Sequence, residues 1–227
     1  MLNEKLMNEI SRIRPLDGTA MEESRLHWDG IAKPLGSLGK LEKAVTQIAG
    51  IQRNANICIE KKALIIMCAD NGVVEEGISQ TDSSVTAVVT DNFSRGLTSA
   101  CIMSRAAGVD VFPIDIGVAA DTKVYTDKIA YGTKNMLKEP AMTREEAEGS
   151  ILAGIRAAKR LKKEGYQILL TGEMGIGNTT TSSAVASVLL GEDPERLSGR
   201  GAGLSDAGLQ RRRGVIRRAI GLWKPDP

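Results

Sequence analysis

The chain has 227 residues, 42% hydrophobic and 26% charged, which suits one large domain with a small appendage and excludes global disorder. Its 30 Lys and Arg nearly balance 28 Asp and Glu, and a net charge of +2 argues against nucleic-acid or anionic-membrane partners. Aromatics at 3% leave no stacking platform for single strands.

Met1-Leu2-Asn3-Glu4-Lys5 opens a charged amphipathic helix and not a signal peptide. No apolar run approaches the ~18 residues that span a bilayer. Residues 1 to 60 hold two helical patterns, the clearer over Leu38–Gln52, with a Pro/Gly turn at Lys33–Gly39 between them. They are expected to form a helical subdomain or an oligomer contact. From residue 61 to 227 the pattern changes to strand alternating with helix. Ala63–Ala69, Val109–Val118 and Gln167–Thr171 are nearly continuous apolar runs, as in parallel strands covered on both faces. Helices are expected over Ser83–Ala107, Thr143–Glu164, Asn178–Leu190 and Ser205–Leu222. The fold class is therefore α/β, a parallel sheet flanked by helices. Three strands are few for such a sheet. The apolar face of the last helix (Leu209, Val215, Ile216, Ile220, Leu222) is expected to need a sheet to cover it, so the chain reads as cut short.

Cys58, Cys68 and Cys101 form no CxxC pair and read as buried, reduced thiols of a cytoplasmic protein. His27 is the only histidine, so no zinc site is expected. The basic run Arg211-Arg212-Arg213 fits a solvated helix face or an anion contact equally well.

The most informative stretch is Leu169–Ser183, where a buried strand meets the glycine turn Gly172-Glu173-Met174-Gly175-Ile176-Gly177 and the hydroxyl-rich helix start Asn178-Thr179-Thr180-Thr181-Ser182-Ser183. Free amides, the helix dipole and threonine hydroxyls together favour a phosphate. A turn with an Asn178 cap and no ligand fits the same residues. The spacing from Gly172 to Gly177 nearly spells a Walker loop, but Asn178 stands where the lysine belongs. Nucleoside-triphosphate hydrolysis is thereby disfavoured and a monophosphate preferred. Glu173 adds a carboxylate suited to a developing positive charge or a labile proton. Gly199-Arg200-Gly201-Ala202-Gly203 is a second glycine loop, readable as a flexible turn or as a second wall of the site, with Arg212 reaching back from the next helix. Asp70-Asn71-Gly72 follows the first strand, and is either a tight turn or part of a cleft at the strand ends.

Taken together, Lys33-Pro34-Leu35-Gly36-Ser37-Leu38-Gly39, Ala69–Val73 with Glu76-Gly77-Ile78-Ser79, and Gly172–Thr180 with Gly199–Leu204 resemble the nicotinate-nucleotide:dimethylbenzimidazole phosphoribosyltransferase family, from about residue 24 onward. The resemblance implies a Rossmann-like domain plus a small helical domain, acting as a homodimer. It implies transfer of phosphoribose from nicotinate mononucleotide to 5,6-dimethylbenzimidazole, without metal or cofactor. The paired-acid loop of diphosphate-using phosphoribosyltransferases is not present. By resemblance, Gly175, Ile176, Gly177, Asn178, Thr179, Thr180, Gly201, Gly203 and Arg212 hold phosphate and ribose. Asp70, Asn71, Ser79, Ser83 and Met174 border the base, and Glu173 is catalytic. The sequence departs from the family pattern at Leu35 (usually proline), Arg212 (usually lysine) and Ser83 (usually glutamine). The family's principal base is a glutamate expected beyond residue 227. A catalytically silent phosphate-binding module shares every one of these features.

Overall fold

The computed structural model describes residues 3–227. The chain divides into two compact units, Met1–Glu60 and Lys61–Pro227.

The first unit has three helices rather than two: α1 (Glu4–Ser11), α2 (Gly18–Asp29) and α3 (Lys40–Gln52). The first pattern is split where Pro15 stops one helix and Asp17 caps the next, its carboxylate accepting from Ala20 N at 3.0 Å. Gly50 lets α3 approach α2 closely, because a Cβ there would lie 2.6 Å from Met21 Cγ. Before α3, Lys33 pairs with Glu42 at 2.9 Å, and Leu38 N donates to the same carboxylate at 3.0 Å. These bonds hold the Lys33–Gly39 loop outside the helix, which starts two residues later than expected.

The second unit is built on a parallel sheet of β1 (Lys62–Ala69), β2 (Val109–Gly117), the two-residue β3 (Tyr125–Thr126) and β4 (Ile168–Met174), in the order β3-β2-β1-β4. Successive strand residues point to opposite faces. Ala63, Ile65 and Ile114 meet Ala157 and Leu161 of α6 (Arg144–Lys163) on one face. Ile66 and Cys68 meet Phe93 of α4 (Ser84–Ser94) and Cys101 of α5 (Ser99–Ala106) on the other. The single helix expected over Ser83–Ala107 is two. Gly96 adopts φ +68°, closed to most side chains, and Thr98 caps a fresh start by accepting from Cys101 N at 3.2 Å. β3 is a fourth strand too short for any hydrophobic pattern to mark.

After β4 come α7 (Asn178–Leu190), α8 (Pro194–Leu197) and α9 (Asp206–Trp223). The apolar face of α9 is covered by α7 and by the segment after β1, not by a sheet. Val215 packs with Val73 and Ile78 from the segment after β1, while Leu222 stays exposed. The three cysteines stand as thiols, Cys68 and Cys101 buried and Cys58 half-buried rather than buried. Burial pushes the Cys68 thiol up to about 11, despite hydrogen bonds that work the other way. Among the described residues no helix is long and apolar enough to cross a membrane.

A buried polar hub sets the loop beyond β2. Asp115 accepts from the Gly117 and Val118 amides at 3.1 and 2.9 Å and from Thr122 Oγ1 at 2.8 Å. Its second oxygen lies 3.0 Å from Lys128 Nζ, which also donates to the carbonyls of Val118 and Ala120 and sits over the Tyr131 ring. Removing one partner of such a pair strands the other charge. Asp115→Ala is therefore expected to destabilise the protein by about 3 kcal/mol, read from a denaturant melt.

Candidate active site

The sheet order reverses beside β1: the chain runs from β1 to β2 on one side, then returns to place β4 on the other. In an open parallel sheet this reversal opens a crevice at the carboxyl ends of the strands. Both glycine turns converge there. β4 runs through Gly172 and Glu173 to Met174, so the turn proper begins only at Gly175. Gly172 is needed for close strand packing, since a Cβ would lie 3.3 Å from Ile66 Cγ1. The Walker-like spacing is thus a coincidence of sequence, with its first glycine inside a strand.

Gly175 passes so close to the end of β1 that a Cβ would collide with the Ala69 carbonyl oxygen. Gly177 adopts φ +89°, and a Cβ there would lie 2.8 Å from Val74 Cγ2. Ile176 between them has both backbone polar groups taken by distant side chains. Its N–H donates to Thr86 Oγ1 at 3.1 Å, and its carbonyl accepts from Asn71 Nδ2 at 3.1 Å. Asn71 Oδ1 also accepts from Thr181 Oγ1 at 3.2 Å, tying the turn to the first turn of α7. The Asn178 amide donates to Gly175 O, and those of Thr180 and Thr181 to Gly177 O. This leaves the Gly177 and Thr179 amides, which find no such acceptor, at the positive end of the α7 dipole.

The turn opens on a cleft of about 370 Å³ lined by Glu173, Asn178, Thr179, Ser182, Ser183, Leu197, Gly199 and Gly201. Glu173 is exposed as a residue, yet enough protein crowds its carboxyl to raise its pKa, against a smaller lowering by the Asn178 side chain. Behind Gly199 and Gly201 stands Arg212. Its guanidinium is buried and donates to Gly199 O at 2.7 Å and Ile78 O at 3.1 Å, while Nε has no partner. Its hydrogen-bond partners among the described residues are carbonyls and not carboxylates, and burial alone lowers its pKa. A buried cation without a counter-ion, beside free amides, is a site built for an anion.

The chain matches the phosphoribosyltransferase family model DBI_PRT over residues 13–227. The chain belongs to this phosphoribosyltransferase family. A nicotinate-nucleotide–dimethylbenzimidazole phosphoribosyltransferase of Ruminiclostridium cellulolyticum is 47% identical over 221 residues, covering 96% of this chain and 63% of the relative. One from Clostridium tetani is 42% identical over 226 residues, with 98% and 62% covered. The crystal structure of CobT from Thermus thermophilus superposes with a TM-score of 0.85 at 37% identity, over 91% of this chain and 63% of that one. The chain thus spans a little under two thirds of the length of these relatives.

In this chain, Glu173, Asn178, Thr179 and Gly201 come together in the cleft, with Gly175 and Gly177 forming the turn before α7. Other residues singled out in the sequence lie elsewhere. Thr180 is fully buried in α7, and the Gly203 carbonyl accepts from Gln80 Nε2. Asp70 uses one carboxylate oxygen to accept from Ala119 N at 2.8 Å, joining the ends of β1 and β2. Ser79 accepts weakly from Thr81 N at 3.4 Å, Ser83 stands at the start of α4, and Met174 packs into the core against α4 and α5. Ser182 and Ser183, part of the hydroxyl run but not singled out as ligands, also line the cleft, as does Leu197, which no motif marks. Ser183 Oγ donates to Thr179 O at 2.8 Å and to Leu197 O at 3.1 Å.

Two outcomes follow from this geometry. Gly175→Ala drives a methyl group into backbone that cannot yield. It is expected to cost roughly 1–3 kcal/mol in a denaturant melt and to weaken monophosphate binding in calorimetry. Because Glu173 has a raised pKa in the fold, its charge opposes folding above the ordinary carboxylate value of 4.5 and not below it. Glu173→Gln should therefore raise the melting temperature near neutral pH, with the gain vanishing as the pH falls below 4.5.

Proposed function

We propose that this chain moves phosphoribose from nicotinate mononucleotide to 5,6-dimethylbenzimidazole, giving α-ribazole 5′-phosphate and nicotinate, a step in making the lower ligand of cobalamin. The observation that carries this reading is the buried, carboxylate-free guanidinium of Arg212 behind the amide-lined cleft that Glu173 also enters. The phosphate binds the Gly177 and Thr179 amides and the α7 dipole, with Arg212 balancing its charge through the second glycine loop. Anchoring that end holds the ribose C1′ in line for attack. The imidazole nitrogen of the base attacks C1′. The bond to nicotinate breaks, and its electron pair returns to the pyridinium ring, so the leaving group needs no acid. The new benzimidazolium sheds its remaining N–H proton. Glu173 supplies negative charge to the developing ribosyl cation and an acceptor for that proton, and its raised pKa brings it nearer the working pH.

A homodimer in the cytoplasm belongs to the same proposal. The buried thiols of Cys68 and Cys101 fit a reducing compartment. The exposed Leu35, Leu38 and Leu41 of the N-terminal unit give a dimer an apolar surface.

The test is to mix the chain with both substrates and measure free nicotinate by chromatography. Release is expected, and Glu173→Gln should slow it by about 10²-fold with little change in monophosphate affinity. The rate should fall on the acid side with a midpoint above 4.5, because Glu173 must be ionised to accept a proton and its pKa is raised. Monophosphate binding without any nicotinate release would instead establish a silent binding module.

A further inference from the structure

The mouth of α7 leaves two amides, those of Gly177 and Thr179, without a backbone acceptor, where a bare glycine turn would leave three. The missing one belongs to Ile176, and the side chain that takes it comes from another part of the fold. Thr86 lies on α4, fully buried, sharing one face with Thr90 and Phe93 at helical spacing. That face packs onto the sheet, so the hydroxyl is held by the core and not by the loop it grips. From the other side Asn71, at the end of β1, takes the carbonyl of Ile176 and the hydroxyl of Thr181. The two peptide units that meet at Ile176 are thus each pinned, the 175–176 unit by Thr86 and the 176–177 unit by Asn71, groups 90 and 105 residues away in sequence. The 176–177 plane carries the Gly177 amide together with the Ile176 carbonyl, so pinning it and its neighbour fixes where the Gly177 amide points.

We infer that Thr86 and Asn71 are positioning residues that lock the two peptide planes on either side of Ile176 and so aim the Gly177 and Thr179 amides at the substrate phosphate. This rests on the proposed reading of the cleft as the nucleotide site. The grip also removes Ile176 from the phosphate ligands, because its N–H already has an acceptor. Thr86 touches no substrate in this scheme and acts only through the turn.

The test uses Thr86→Val, which keeps the shape and deletes the acceptor, and Thr86→Ser, which keeps the acceptor. In the free protein, amide exchange at Ile176 should quicken at least tenfold in Thr86→Val and stay near wild type in Thr86→Ser. With nicotinate mononucleotide as titrant, Thr86→Val should weaken binding about tenfold while leaving dimethylbenzimidazole affinity unchanged, and Thr86→Ser should restore it. Merely structural damage would weaken both ligands together. Faster exchange with unchanged nucleotide affinity would overturn the positioning role. Unchanged exchange would overturn the grip itself. If wild type exchanges as expected yet binds no nicotinate mononucleotide, the reading of the cleft fails while the lock on Ile176 stands.

Discussion

The crossing of Gly175 over the carbonyl of Ala69 is the constraint on which the rest of the site depends. It brings the ends of β1 and β4 together without a side chain between them. Only then can Asn71, two residues past β1, reach Ile176 and Thr181, and only then does the mouth of α7 face the second glycine loop. The strand order supplies the crevice, and the absence of one methyl group lets the chain close over it. Any side chain at this position forces apart the two segments whose proximity makes the anion site.

Electrostatics follow from that packing. The amides at the start of α7 and the guanidinium of Arg212 present positive charge on one side of the cleft, and Glu173 presents a carboxyl on the same cleft. A nucleotide with a negative phosphate and a positively charged ring needs both signs a few ångströms apart. Arg212 is held by two carbonyls, of Gly199 and Ile78, so its charge is placed without being neutralised. A salt bridge in the same place would leave nothing for a ligand.

Much of the architecture was legible in the sequence. The three long strands announce themselves as apolar runs because both faces of the sheet are covered, and the capping box of Thr143 and Glu146 marks the start of α6. Other features were hidden for physical reasons. The break at Gly96 lies inside a continuous helical pattern, and only the backbone angle reveals it. β3 has two residues, below the reach of any periodicity. In the site, residues next to the turn in sequence could be read, whereas Thr86 could not. A buried threonine on a helix usually packs, and nothing local tells that its hydroxyl serves an amide 90 residues later. Asp70 and Asn71 show that a polar residue at a strand end can brace the fold as well as face a ligand: both tie the protein to itself, while the second Asp70 carboxylate oxygen has no hydrogen-bond partner among the described residues.

The ammonium of Lys128 has a consequence for how the anion site can be studied. It fills a nest of one carboxylate, two carbonyls and an aromatic face, so its charge is answered within the fold. Mobile ions screen exposed charges far more than enclosed ones. The rim of the sheet should therefore keep its shape from dilute buffer to strong brine. A salt titration of ligand capture will then register the cleft, and not a loosening of the frame around it.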